Sequence, residues 1–124
     1  MRRLLVANRG EIALRIIRAA TELGIETVAI FTRADADGLH AMSAGASVLV
    51  SSYLDASAIV KVALDHGCDG LHPGYGFLSE SAHLARSCEA AGLCFVGPTP
   101  ATIELLGDKL AARRLAQQVG VPVA

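Results

Sequence analysis

Tryptophan is absent from this 124-residue chain, which has only three phenylalanines and two tyrosines. With hydrophobic residues at 52% and aromatics at 4%, the interior must be assembled from Ala, Val, Ile and Leu. Such a composition suits helices packed closely on a parallel sheet. An excess of one charge is missing too: 11 Lys and Arg face 12 Asp and Glu, a formal net charge of −1, with no block or tail of one sign. No basic surface therefore argues for a nucleic-acid partner. No apolar run approaches the length of a membrane span, and the four-residue apolar segment after Met1-Arg2-Arg3 is too short for the core of a secretory signal. Cys68, Cys88 and Cys94 are an odd set with no CxxC, and His40, His66, His72 and His83 do not join them at any metal-ligand spacing. A metal site is not expected. Cys68 and Cys94 each follow a helix end and enter an apolar segment, where a free thiol behaves as a small buried hydrophobe. Reduced thiols and the missing signal fit a cytoplasmic protein with no membrane partner.

The length suffices for one domain with a single core. Four helical segments end in a glycine followed by an apolar residue or Cys: Leu23-Gly24-Ile25, His66-Gly67-Cys68, Ala91-Gly92-Leu93 and Val119-Gly120-Val121. A glycine there can take the left-handed conformation that closes a helix. Short, continuous apolar runs at residues 4–7, 27–31, 48–50, 70–72 and 94–96 read as strands buried on both faces. Between them the pattern predicts helices at about 11–23, 56–66, 80–91 and 109–119, with weaker helical turns near 39–44 and 102–106. Asp55, Ser79 and Asp108 stand where N-caps belong. The product is an α/β fold, a Rossmann-like doubly wound parallel sheet of about five strands. A further strand would begin after Gly120, and the whole reads as the first lobe of a longer protein.

Several catalytic signatures are also missing. The loop after the first strand, Asn8-Arg9-Gly10-Glu11, has one glycine where a dinucleotide fingerprint needs three. Glu11 in the first helical turn would repel a phosphate there. No G-x-S-x-G elbow accompanies Ser79 or Ser81, and no pair of carboxylates stands out as acid and base, so no complete catalytic centre is expected.

What is present is a concentrated motif, His72-Pro73-Gly74-Tyr75-Gly76-Phe77-Leu78-Ser79-Glu80. It forms a strand-to-helix turn where Gly74 and Gly76 let the backbone approach a ligand closely, with the ring of Tyr75 between them. Ligands of open α/β sheets bind at this end of the strands. A tight turn needing positive φ, with Tyr75 covering apolar surface, satisfies the same pattern. Glu11, Arg15, Arg18 and Glu22 share one stripe of the first helix, where Arg18 and Glu22 can pair at i,i+4 for only ~0.2–0.5 kcal/mol. A solvated face and a self-complementary twofold interface are both open. In Gly107-Asp108-Lys109 a lysine just inside a helix start opposes the dipole, which makes sense if an anion shares the site, or if the ammonium simply reaches water.

Three runs, taken in order, resemble one family. Leu5-Val6-Ala7-Asn8-Arg9-Gly10-Glu11-Ile12-Ala13-Leu14-Arg15-Ile16 resembles the opening of biotin carboxylase, the ATP-dependent component of acetyl-, propionyl- and pyruvate-type carboxylases. The Tyr75 motif, and Phe95-Val96-Gly97-Pro98 through Gly107-Asp108-Lys109, resemble its next two signature segments. The resemblance runs from Arg3 to the end of the chain. It implies a Rossmann-like lobe preceding an ATP-grasp domain, in an enzyme that uses Mg-ATP to activate bicarbonate and then carboxylates biotin. By that similarity Lys109 would contact ATP phosphate, Tyr75 and Gly76 would line the biotin pocket, and Arg15, Arg18 and Glu22 would form dimer contacts. ATP, Mg2+ and biotin would serve the assembled enzyme, with none bound tightly by this lobe alone. Its partners would be the ATP-grasp remainder, a biotin carrier domain and a second copy in a homodimer. Two departures from the family accompany the match: Val50 passes almost directly to Ser51-Ser52-Tyr53-Leu54 without the usual Gly/Pro loop, and Gly45-Ala46 replaces an acidic pair. The alternatives are a free-standing interaction module descended from such a lobe, the leading lobe of another ATP-grasp ligase, or a nicotinamide-dependent oxidoreductase.

Overall fold

The computed structural model describes residues 1–120, apart from the side chains of 109–112 and 115. The strand expected after Gly120 lies outside the described residues. Five parallel strands, β1 (Arg3–Val6), β2 (Glu26–Phe31), β3 (Ala46–Leu49), β4 (Gly70–His72) and β5 (Cys94–Phe95), lie in the order β3-β2-β1-β4-β5. Helices α1 (Gly10–Glu22), α2 (Leu39–Ser43), α3 (Ala56–Asp65), α4 (Ala82–Ala90) and α5 (Pro100–Gln118) connect or follow them. Single 3₁₀ turns occupy Arg33–Asp35 and Phe77–Glu80.

The apolar runs conceal a period of two that places a different set of side chains on each face. Leu5 of β1, Val28 and Ile30 of β2 and Leu71 of β4 meet Ile59 and Ala63 of α3 and Leu84 and Cys88 of α4. Leu4, Val6 and Ala29 point the other way, onto Ala13, Ile17 and Ala20 of α1. Small residues on α1 let it lie close to the sheet, as the scarcity of aromatics requires. Full burial is confined to the central strands. Edge strand β3 leaves Leu49 half exposed, and Cys94 in two-residue β5 is exposed, not buried as expected, because an edge position has a neighbour on one side only. Cys68 and Cys88 are buried, which pushes each thiol pKa up to about 11.

Two helix starts differ from the sequence reading. Asp55 caps α3 as expected, accepting from Ala58 N at 3.1 Å. Ser79, however, lies within the 3₁₀ turn, and Ser81 caps α4 by accepting from Leu84 N at 3.1 Å. Asp108 lies inside a helix, not at a helix start. The weak turn near 102–106 and the helix expected from 109 are one helix, α5, running through Gly107 and Asp108. Its start is set by Thr99, whose Oγ1 accepts from Thr102 N at 3.2 Å, and by Pro100 in the first turn, where a missing N–H does no harm. A glycine inside a helix costs only ~1 kcal/mol relative to Ala, too little to break it there. Arg86 of α4 and Glu104 of α5 form an ion pair between the two helices.

Candidate functional site

In this strand order the chain leaves β1 for β2 on one side and reaches β4 on the other. The carboxyl ends of β1 and β4 thus flank the topological switch point, where open sheets of this kind take their ligands. Here a side chain fills that crevice. Asn8, directly beyond β1, is fully buried. Its Nδ2 donates to the carbonyls of Pro73 at 2.8 Å and Tyr75 at 2.9 Å, and its Oδ1 accepts from Arg9 N at 2.8 Å. The loop after β4 is therefore pinned to the loop after β1. Gly74 makes the turn between the two accepted carbonyls with φ +67°, and an added Cβ would sit 2.7 Å from Asn8 Nδ2 and 2.8 Å from Ile12 Cγ2. Gly76 follows at φ 71°, ψ −172°, a region essentially reserved for glycine. His72 adds a further tie, its Nδ1 accepting from Gly74 N at 3.0 Å. Burial holds the imidazole pKa below its ordinary value, keeping the ring neutral for that bond.

A second brace reaches the loop from β2 and β3. Arg9 donates through Nε to Asp35 Oδ2 at 2.7 Å and through its terminal nitrogen to Oδ1 at 2.6 Å. Tyr53 Oη donates to Asp35 Oδ2 at 2.6 Å. Arg9 and then Tyr53 hold the Asp35 carboxyl well below the usual carboxylate range, while burial and Asp35 push the Tyr53 phenol up. The Tyr53 ring packs on Phe77 at 5.5 Å between centroids, tilted by 48°. Phe77 has φ 48°, the positive-φ non-glycine position among the described residues, so the packing supports a strained turn.

Tyr75 is left standing on this braced loop with 70% of its surface exposed. It overlooks an open groove of about 580 Å³ that runs along α1, lined chiefly by Ile12, Ile16, Leu23, Ile25 and Val96. The glycines supply the positive φ that the turn requires, and the ring between them is exposed to solvent. Among the described residues no three His, Cys, Asp or Glu side chains gather as a metal ion would need, and no helix is long and apolar enough to cross a membrane.

The family model for the biotin carboxylase N-terminal domain matches residues 1–103. The chain belongs to this family. Pyruvate carboxylase of Aspergillus terreus is 52% identical over 130 residues, covering 98% of this chain and 11% of the relative. Biotin carboxylase of Halalkalibacterium halodurans is 49% identical over 128 residues, covering 98% and 28%. The biotin carboxylase domain dimer of the Hydrogenobacter thermophilus 2-oxoglutarate carboxylase, in complex with MgADP, ADP and bicarbonate, superimposes with a TM-score of 0.86 at 45% identity, covering 98% of this chain and 28% of that one. The chain therefore spans between about a tenth and a third of the length of such relatives.

Within this biotin carboxylase lobe the residues singled out by sequence fall in three places. Tyr75 and Gly76 are together on the loop just described. Arg15 lies on the same groove as Tyr75, and Arg18 and Glu22 continue the exposed stripe of α1. The ion pair expected between Arg18 and Glu22 is not formed, whereas Lys61 and Asp65 of α3 do pair at 2.7 Å. Lys109 belongs to the middle of α5, not to a helix start, and its side chain lies outside the described residues. In the middle of a helix Lys109 does not oppose the dipole of a helix start, so no anion is needed there to offset it. Sequence reasoning missed Asn8 as an anchor and Asp35 and Tyr53 as a brace. Tyr53 is one of two tyrosines, a signal that was available; Asn8 and Asp35 carried none, since their partners are distant in the chain.

Proposed function

We propose that this lobe forms one wall of the active site of a biotin carboxylase that uses Mg-ATP and bicarbonate to carboxylate biotin. The observation that carries the reading is Tyr75, an exposed aromatic ring between two glycines, held by buried hydrogen bonds at the ligand-binding end of the sheet. A flat amphipathic ring beside bare backbone suits the planar, polar ureido ring of biotin, with Gly76 allowing close approach. Biotin accepts and transfers the carboxyl group; this chain's part is to bind and orient it through Tyr75 and Gly76. Among the described residues no three metal-ligating side chains gather, and Asn8 occupies the crevice a nucleotide would use. Nucleotide, metal and bicarbonate chemistry is accordingly assigned to an ATP-grasp region outside residues 1–124, with Lys109 reaching ATP phosphate from this lobe.

The same reading gives the exposed surfaces their partners. Arg15, Arg18 and Glu22 would meet a second copy across a twofold axis, where paired arginines and carboxylates can match themselves. The apolar groove beside α1 would be covered by the remainder of the carboxylase, and a biotin carrier domain would deliver biotin to Tyr75. Three free thiols suit a reducing compartment such as the cytoplasm. The test is biotin- and bicarbonate-dependent ADP release from Mg-ATP, by the chain alone and mixed with the ATP-grasp portion of a related carboxylase. No release alone, release on mixing, and loss with Lys109→Ala is the expected pattern. Turnover by the chain alone, or silence from a folded mixture, would overturn the proposal.

A further inference from the structure

We infer that Asn8 is the positioning residue for biotin in this site, acting through the Tyr75 loop without touching the ligand; the inference rests on Tyr75 and Gly76 lining the biotin pocket. Asn8 is 0% exposed, and both hydrogens of its amide are committed to carbonyls two residues apart, Pro73 and Tyr75. The amide cannot be turned over, because Oδ1 is fixed by Arg9 N and a flip would set oxygen against two carbonyl oxygens. For both carbonyls to aim at one nitrogen, the chain must fold back at Gly74, and its left-handed φ of +67° does this. The turn presses so closely on the amide that a Cβ on Gly74 would lie within 2.7 Å of Nδ2. Donor and glycine therefore define one shape, and the ring of Tyr75 stands where that shape puts it.

The two neighbouring braces cannot substitute for it. His72 reaches only Gly74 N, and the Asp35–Tyr53 brace reaches the loop only at Phe77, beyond the pocket residues. Among the described residues no other donor serves the Pro73 and Tyr75 carbonyls. The side chain that excludes a ligand from the switch-point crevice is thus the one that sets the loop beside it.

The test compares Asn8→Asp with Tyr75→Ala in an intact biotin carboxylase containing this lobe, measuring KM for free biotin and for ATP together with kcat. Asp keeps the shape of Asn and loses both donors. A biotin KM raised at least tenfold by both variants, with the ATP KM within twofold of the parent, is the expected result. A structural role alone would lower the active fraction and leave the biotin KM unchanged. If Tyr75→Ala raises the biotin KM and Asn8→Asp leaves it within twofold, positioning by Asn8 is refuted while the pocket reading stands. If Tyr75→Ala leaves the biotin KM unchanged, the pocket reading fails and the inference fails with it. Should Asn8→Asp not fold, Asn8→Ser retains one donor and adds no charge: a severalfold rise in biotin KM alone supports the inference, and an unchanged value overturns it.

Discussion

Replacing Gly74 by alanine should damage this lobe more than the same change at Gly76, and the difference can be worked from the two surroundings. Both positions have positive φ, +67° and +71°, so conformation alone does not separate them. At Gly74 an alanine incurs ~1–2 kcal/mol for the left-handed backbone. Its Cβ would also lie 2.7 Å from Asn8 Nδ2, 2.8 Å from Ile12 Cγ2 and 3.3 Å from Asn8 Cβ. Asn8 is hydrogen-bonded on three sides and cannot swing away, so overpacking adds ~1–3 kcal/mol. The sum is ~2–5 kcal/mol. At Gly76, with ψ near −172°, an alanine incurs ~1–3 kcal/mol of backbone strain. No atom lies within 4 Å of its Cβ, so nothing is added. Urea denaturation followed by circular dichroism measures both; with an m-value of ~1–3 kcal/mol/M the Gly74→Ala midpoint should fall by roughly 0.7–5 M. Truncating Asn8 to alanine removes the 2.7 Å contact with Nδ2 and leaves those with Ile12 Cγ2 and Asn8 Cβ, so Asn8→Ala and Gly74→Ala together should cost less than their sum, by at least ~0.5 kcal/mol. Equal destabilisation at the two glycines, or strict additivity with Asn8→Ala, would refute the packing argument.

Other perturbations test the braces and the corrected caps. Tyr53→Phe removes a 2.6 Å hydrogen bond to a carboxylate and should lower stability by ~1.5–3 kcal/mol in the same denaturation assay. Ser81→Ala should cost ~0.5–2 kcal/mol and Ser79→Ala under ~0.5, a contrast thermal melts can read. His72, with its folded pKa lowered by burial, binds fewer protons than the unfolded chain, whose histidine titrates near ~6.5. Its contribution is therefore complete above that pH and is lost as pH falls through ~6.5 toward the folded value. Urea midpoints at pH 7.5 and 5.5 should differ, and His72→Gln should reduce the difference.

The layered architecture was legible because it rests on short-range signals. Apolar runs bounded by helix-closing glycines located β1, β2, β4 and the helices between them to within a few residues, since a buried strand and a glycine stop are each written locally. The edge strands were read as buried because Val48 and Cys94 sit in runs no different in composition from central ones; only the strand order assigns edge positions. At α5 two local signals competed. Asp108 looked like a cap, but Thr99 and Pro100 start the helix nine residues earlier, and Gly107 is too weak a breaker to divide it. Within the site, Tyr75 and its glycines were legible as a motif. The anchor was not, because Asn8 meets the Tyr75 carbonyl across 67 positions of sequence and a single asparagine announces no partner.

The way the switch point is used here bears on how such a lobe contributes to binding. In a dinucleotide-binding sheet the crevice beyond β1 is left open and backed by the bare N-terminus of the first helix. Here Asn8 fills it and Glu11 occupies the first helical turn, so neither the space nor the favourable field for a phosphate survives. What the sheet provides instead is order in advance of the ligand. Fixing a residue's backbone costs ~1–2 kcal/mol, so leaving Gly74, Tyr75 and Gly76 to be ordered by the incoming ligand would draw ~3–6 kcal/mol from its binding. At 1.4 kcal/mol per factor of ten, that is a loss of roughly two to four orders of magnitude in affinity. Two hydrogen bonds from one buried amide, with glycines at the positions an L-residue would strain, meet that cost during folding. Under the proposed function, a lobe that contributes a pre-ordered Tyr75 loop would thereby raise the affinity of a pocket completed by other parts of the enzyme.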